Sequence, residues 1–113
     1  MFNRTNIVKK NWEFQKIIGK KIQVVSKNLI IYITKSEYFK IGISIPKQFV
    51  NAVKRNHFKN QIKSILRKLN VEEYKFECVL IARKTFFDLD FSKKVIEIKN
   101  ILESAQNGKA KKI

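Results

Sequence analysis

Residues 41–67 read IGISIPKQFVNAVKRNHFKNQIKSILR, and the hydrophobic period changes partway along this stretch. Its beginning belongs to the run Phe39–Ile45, where Phe39, Ile41, Ile43 and Ile45 alternate with Lys40, Gly42 and Ser44. A period of two places the apolar set on one face of a strand and the small or polar set on the other. Pro46 lacks a backbone donor and ends the strand. From Asn51 to Leu69 the period becomes helical: Phe58, Ile62, Ile65, Leu66 and Leu69 fall within an arc of about 100°. Arg55, Asn56, Lys59, Asn60, Lys63 and Arg67 fill the next arc of about 140°. One side of this helix is made to pack on a sheet, and the other carries only cations and amides.

Working outward, Phe14, Ile17 and Ile18 recur at helical spacing after Asn11, a good N-cap, and predict a short first helix that stops near Gly19. The stretches Ile22–Val25 and Asn28–Thr34 are rich in β-branched residues and predict two strands before Phe39–Ile45. In the second of them Leu29, Ile31 and Ile33 serve the core face, leaving Ile30 and Tyr32 on the other. After the basic helix, Phe76–Arg83 predicts a fourth strand, and Phe91–Glu103 a last helix with Val95, Ile98, Ile101 and Leu102 inward. The order α-β-β-β-α-β-α predicts a small α+β sandwich on a four-stranded sheet. Residues 1–113 form a single domain, with a basic extended arm over 1–10 and a disordered basic tail over 104–113.

The chain carries 25 Lys and Arg against nine Asp and Glu, a formal charge of +16. A charge of that size repels itself unless a polyanion is bound. Its distribution is also uneven: no acidic residue lies between Glu37 and Glu72, and seven of the nine acids lie at or after Glu72. Positive potential concentrated in the first two thirds of a small domain is the footprint of a phosphate-backbone binder. The one cysteine, Cys78, excludes an internal disulfide and sits in an apolar run that reads as core. With no run approaching the roughly 20 apolar residues of a membrane span, a reduced, cytoplasmic setting away from membranes is expected.

Catalytic groups are scarce. His57 is the only histidine and has no second ligand at metal-binding spacing; on the basic helix it reads as a phosphate or base contact. Asp88 and Asp90 stand in a connection where capping is the usual role of such residues. Gly19, Gly42 and Gly108 are too scattered to form a phosphate-cradling loop.

Binding surfaces remain. The residues at 55, 59, 63 and 67 span roughly 18 Å at 1.5 Å per residue and can follow a run of phosphates. Asn56 and Asn60 add directional hydrogen bonds. Phe14 and Ile18 on the first helix face Ile30 and Tyr32 on the open side of the sheet. Spacing alone favours a second small core there; the alternative is a shallow groove in which single-stranded bases stack on aromatic rings.

Residues 41–67 resemble the signature segment of bacterial ribonuclease P protein subunits, in which a VGxSVSKK strand leads into GNAVxRNxxKRxxRE. The matching residues are Gly42, Ser44, Lys47, Asn51, Ala52, Val53, Arg55, Asn56 and Lys59. Asn60 replaces the second basic residue of the pair, and Lys63 stands where Arg is usual, keeping charge without the bidentate fork. Val50 replaces a common Gly, and Ser64 a common acidic or amide residue. KKNWEFQKII resembles the family's first helix, and Leu80–Lys84, LIARK, its IARK-type strand end.

The resemblance implies an α+β sandwich with an unusual left-handed strand-helix-strand crossover. It implies a protein subunit that assists a catalytic RNA in removing the 5′ leader from precursor tRNA, with Mg²⁺ held mainly by the RNA and none by the protein alone. The expected partners are the RNase P RNA and the precursor tRNA leader, with the protein monomeric and one per RNA. The RNA-binding set implied is Lys47, Asn51, Arg55, Asn56, His57, Lys59, Asn60, Lys63, Arg67 and Arg83. Phe14, Ile18, Ile30 and Tyr32 match the family's leader groove, with Val8 and Lys10 at its edge, and the resemblance turns the balance there from core to groove. Family members often carry an aromatic residue at the position of Ile18. The competing reading is a structural ribosomal protein binding ribosomal RNA; a DNA-binding regulator would need a helix-turn-helix pair or a dimer seam, and neither is visible.

Overall fold

The computed structural model describes residues 2–112; Met1 and Ile113, the outer ends of the expected arm and tail, lie outside the described residues. Helix α1 (Asn11–Gly19) is followed by strands β1 (Ile22–Val25), β2 (Leu29–Lys35) and β3 (Lys40–Ser44). Then come helix α2 (Ala52–Lys68), strand β4 (Phe76–Ala82), helix α3 (Phe91–Gln106) and a two-residue strand β5 (Lys111–Lys112). The sheet order is β3-β4-β2-β1-β5. β3 and β4 are parallel neighbours joined through α2, and the other pairs are antiparallel.

β4 is the central element. Cys78, Leu80 and Ala82 face the main core, whereas Val79 and Ile81 face α1. Both faces of the strand are covered, which is why FECVLIA reads as a nearly continuous apolar run. On the main side, Leu29, Ile31, Ile41 and Ile43 of the sheet meet Ile62, Ile65 and Leu66 of α2 and Ile98, Ile101 and Leu102 of α3, all buried. The expected apolar stripe of α2 is the stripe that packs. Phe58, near its N-terminal end, packs against Phe87 from the short 3₁₀ turn Lys84–Asp88, with ring centroids 4.8 Å apart and planes inclined by 53°.

The tail differs from expectation. α3 continues to Gln106, and Gly108 adopts a left-handed φ of 78°. Lys109 N–H then reaches back to the Ser104 carbonyl at 3.0 Å, a glycine-dependent helix stop. The chain reverses and adds β5 to the edge of β1, giving five strands rather than four. Backbone pairing of so few residues has no hydrophobic period, so composition could only suggest disorder.

The arm also differs. Phe2 and Val8 are buried, Arg4–Asn6 forms a 3₁₀ turn, and Ile7 makes a parallel bridge to Ile41. Asn6 donates its side-chain amide to the Phe39 carbonyl at 2.6 Å, and Val8 N–H donates to the Ile41 carbonyl at 2.9 Å. The arm thus covers the free edge of β3, satisfying groups that an edge strand leaves open. α1 begins one residue earlier than expected: Lys10 is its N-cap, without a side-chain cap bond, and Asn11 is already helical. Asn51 and Asp90 do cap α2 and α3, accepting from Lys54 N–H and Lys93 N–H, each at 2.9 Å.

Candidate nucleic-acid interface

At the end of β3 lies a hollow of about 380 Å³, in which Lys47, Arg55 and Lys59 of the β3–α2 stretch converge with Asn11, Phe14 and Ser44. Each residue arrives for a local reason. Pro46 turns the chain after β3 and leaves Lys47 exposed at the mouth. Arg55 and Lys59 are one turn apart on α2 and half-buried, at the border between its packed stripe and its exposed face. Phe14 is held over β3 because Gly42 has no side chain, and its ring occupies that space.

Arg55 is half-buried, and its Nε is shielded from solvent with no hydrogen-bond partner among the described residues. A buried donor in that condition calls for an acceptor. Among the described residues no acidic residue lines the hollow; Glu13, the one carboxylate of α1, pairs with Lys40 at 3.9 Å.

Along α2, Asn56, His57 and Asn60 are exposed beside this stripe, and His57 lies edge-on to Phe58 with ring centroids 5.5 Å apart. Asn51 spends its side-chain oxygen on the helix cap. Lys63 and Arg67, further along, leave the hollow and stand beside the N-terminal turn. Arg83 belongs elsewhere: its guanidinium donates to the Ser26 carbonyl at 2.9 Å, tying the end of β4 to the turn between β1 and β2.

Beneath α1, Val8, Ile17 and Val79 are buried, with Phe14, Ile18, Tyr32 and Ile81 half-buried around them. Core and groove are therefore layers of one feature: a three-residue floor carries a rim in which rings and aliphatic groups remain accessible. Val8, expected at the edge, lies in the floor at 3% exposure. Lys10 is exposed at the start of α1, and half-buried Ile30 pairs across the sheet with Ile81. Sequence pattern does not single out Asn11 or Ser44 as site residues. Ser44 is legible in the alternation of β3 as a residue on the α1 side, whereas the capping role expected of Asn11 gives no hint of its place in the hollow.

Elsewhere in the fold, four groups have shifted proton affinity. Burial, then Glu77, pushes the Cys78 thiol up. Burial, then Glu103 and Glu73, raises Tyr74. Hydrogen bonds from Lys93 N–H and Ser92 lower Asp90, and burial lowers Lys94. Among the described residues no group of three His, Cys, Asp or Glu side chains could hold a metal ion, and the hollow presents cations that repel one. No helix among the described residues is long and apolar enough to cross a membrane.

A family model described as Ribonuclease P matches residues 2–106. The chain is 52% identical over 108 residues to the ribonuclease P protein component of Mycoplasma mobile, covering 96% of each. It is 50% identical over 105 residues to that of Mycoplasmopsis pulmonis, covering 92% of this chain and 95% of the relative. The solved structure of the Staphylococcus aureus RNase P protein aligns with a TM-score of 0.80 at 27% identity, over 89% of this chain and 95% of that one. The RNase P protein from Thermotoga maritima shares the fold, with a TM-score of 0.74 at 23% identity over 84% of this chain and 93% of that one.

Proposed function

The chain belongs to the ribonuclease P protein family, and on that footing we propose that it binds the RNA subunit through α2 and the single-stranded 5′ leader of precursor tRNA through the rim under α1. As a ribonuclease P protein component it is a subunit of an endoribonuclease complex. The observation that carries the finer reading is the hollow at Lys47, Arg55, Lys59, Asn11 and Phe14, because it joins the two surfaces. A nucleic-acid strand with a base on Phe14 would meet Lys47, Arg55 and Lys59 in the same hollow.

In this reading the protein performs no bond-breaking step. The RNA subunit carries the reacting centre and the Mg²⁺ ions that activate water. The chain's own residues bind and orient. Cations at 47, 55, 59, 63 and 67 neutralise phosphates, which offsets the repulsion between two polyanions brought together. Asn56, His57 and Asn60 supply directional contacts to sugar or phosphate oxygens, while the rim holds the leader so that the scissile bond lies in one register. One protein per RNA in the cytoplasm completes the reading.

Reconstitution tests it. The protein is mixed with a bacterial RNase P RNA and precursor tRNA at low Mg²⁺, with ribosomal RNA as a binding control. Enhanced 5′ processing and preference for the RNase P RNA are expected. Absence of any gain in processing would falsify the proposal.

A further inference from the structure

At one end of the molecule the main core does not fill the space it encloses. Along β2 the core-facing row Leu29, Ile31 and Ile33 ends in Lys35, and along α3 the inward row Ile98, Ile101 and Leu102 ends in Ala105. A methyl group where longer side chains precede it leaves space between the last turn of α3 and the sheet. The tail that follows adds nothing large: Gly108 turns it at a φ of 78°, and Ala110 leads it back to β1. The result is a cavity of about 410 Å³ walled by Ile22, Ile33, Phe76, Ala105 and Ala110. That volume lies in the range of small-molecule sites, roughly 300–1,000 Å³. Apolar cavities stay dry and accept apolar ligands.

The lining also carries charge of one sign. Lys35 and Lys75 belong to it, and no acidic residue does among the described residues. Register places the two lysines together, because Lys35 pairs with Phe76 across the sheet and Lys75 precedes Phe76. Lys75 N–H donates to Gln106 Oε1 at 3.0 Å, and the Lys75 carbonyl accepts from Ser36 N–H at 3.3 Å. These bonds tie the start of β4 to the end of α3 and to the end of β2. Both lysines are exposed, so their ammonium groups stay hydrated and charged.

The cavity is remote from the basic hollow. Lys35 and Phe76 stand at the start of β4, whereas Ser44 pairs with Ile81 near its end. Neither α2 nor the N-terminal segment contributes a residue to the lining.

We infer that this cavity is a binding site for a small carboxylate with an apolar body, of the medium-chain fatty-acid class. The hydrocarbon lies among Ile22, Ile33, Phe76 and Ala105, and the carboxylate meets Lys35 and Lys75. A nucleotide would set polar groups against the apolar wall, at a cost in desolvation. A neutral hydrocarbon leaves the two cations unused, and an amine meets like charges. Binding there is independent of any contact with RNA.

Titration of ¹⁵N-labelled full-length protein with octanoate, followed by NMR, tests the site. Amides of residues 33–35, 75–76 and 105–110 are expected to shift along one saturable curve. Affinity for 1-octanol should be about tenfold lower, the loss of one charge-assisted contact, and octylammonium should give no curve. Lys35→Gln with Lys75→Gln should bring octanoate down to the affinity of octanol. Ala110→Leu, which fills the cavity from the tail, should abolish both curves, as should Ala105→Leu from the helix side. Unchanged circular dichroism would verify that each variant is folded.

Octanoate binding undiminished in both folded leucine variants would overturn the site, as would shifts spread over α2 in place of the cavity. Equal affinities for octanoate, octanol and octylammonium would overturn the assignment of a carboxylate ligand.

Discussion

The ring of Phe14 lies over the backbone of Gly42, with its Cε1 and Cζ 2.6 and 2.7 Å from the position a Cβ there would occupy. Glycine at 42 is thus what lets α1 approach β3. Gly42→Ala should destabilise the protein by about 1–3 kcal/mol, the usual range for overpacking, in urea unfolding. Phe14→Leu in the Gly42→Ala background should recover part of the loss. Equal losses with and without that second change would show that the ring is not the obstacle.

The accessible rim under α1 leads to a prediction about substrate length. Tyr32→Ala should reduce affinity for precursor tRNA with a long leader by about 1–3 kcal/mol if a base stacks on the ring. Affinity for a substrate with a very short leader should change little. A reduction independent of leader length would assign Tyr32 to the small core around Ile17 and Val79 alone.

For the hollow, Lys47→Ala, Arg55→Ala and Lys59→Ala combined should weaken binding to RNase P RNA. The slope of log affinity against log salt should become shallower by about one unit per phosphate left without its cation. An unchanged slope would place the phosphates elsewhere on the protein.

Asn51 combines two possible roles, and two substitutions separate them. Its side chain caps α2 through Lys54 N–H. Asn51→Ala should cost about 0.5–2 kcal/mol of stability, whereas Asn51→Ser should retain most of it. If Asn51→Ser also retains RNA affinity, the residue acts by ordering the first turn of the helix; a selective loss of affinity would reveal a direct contact.

Lys94 predicts a pH dependence. It is 4% exposed, donates to Gln61 Oε1 at 2.9 Å and sits 4.6 Å over the Phe58 ring. Burial lowers its pKa from the ordinary 10.5, so the native state holds this proton less tightly than the unfolded chain. The cost of burying the charge is present at neutral pH and fades as pH rises through the lowered pKa toward 10.5, above which neither state is protonated. Unfolding free energies of wild type minus Lys94→Met should therefore rise across that alkaline window. Parallel curves for the two proteins would show that the native ammonium is not destabilised.

Much of the interface is readable without the fold. The period of Phe58, Ile62, Ile65, Leu66 and Leu69 orients α2, and that orientation puts Arg67 outward, with Arg55, Lys59 and Lys63 half-buried along the border of the packed stripe. The alternation in β3 likewise places Gly42 and Ser44 on the side that α1 covers. What period cannot supply is the division of the basic stripe. Arg55 and Lys59 meet Lys47 and Phe14, whereas Lys63 and Arg67 meet Arg4 and Lys9.

The amino-acid order by itself determined which residues of α2 are buried and which are cationic and exposed, because side-chain direction along one helix follows from local geometry. Only the tertiary structure decided what those cations stand beside. The arm over 1–10 carries no strong hydrophobic period, and Arg4 comes near Arg67 only because Ile7 and Val8 bond to an edge strand more than thirty residues away. The same holds for β5, whose pairing with β1 is made through backbone groups that every residue possesses. Local pattern records side-chain chemistry; long-range backbone pairing leaves little trace in it.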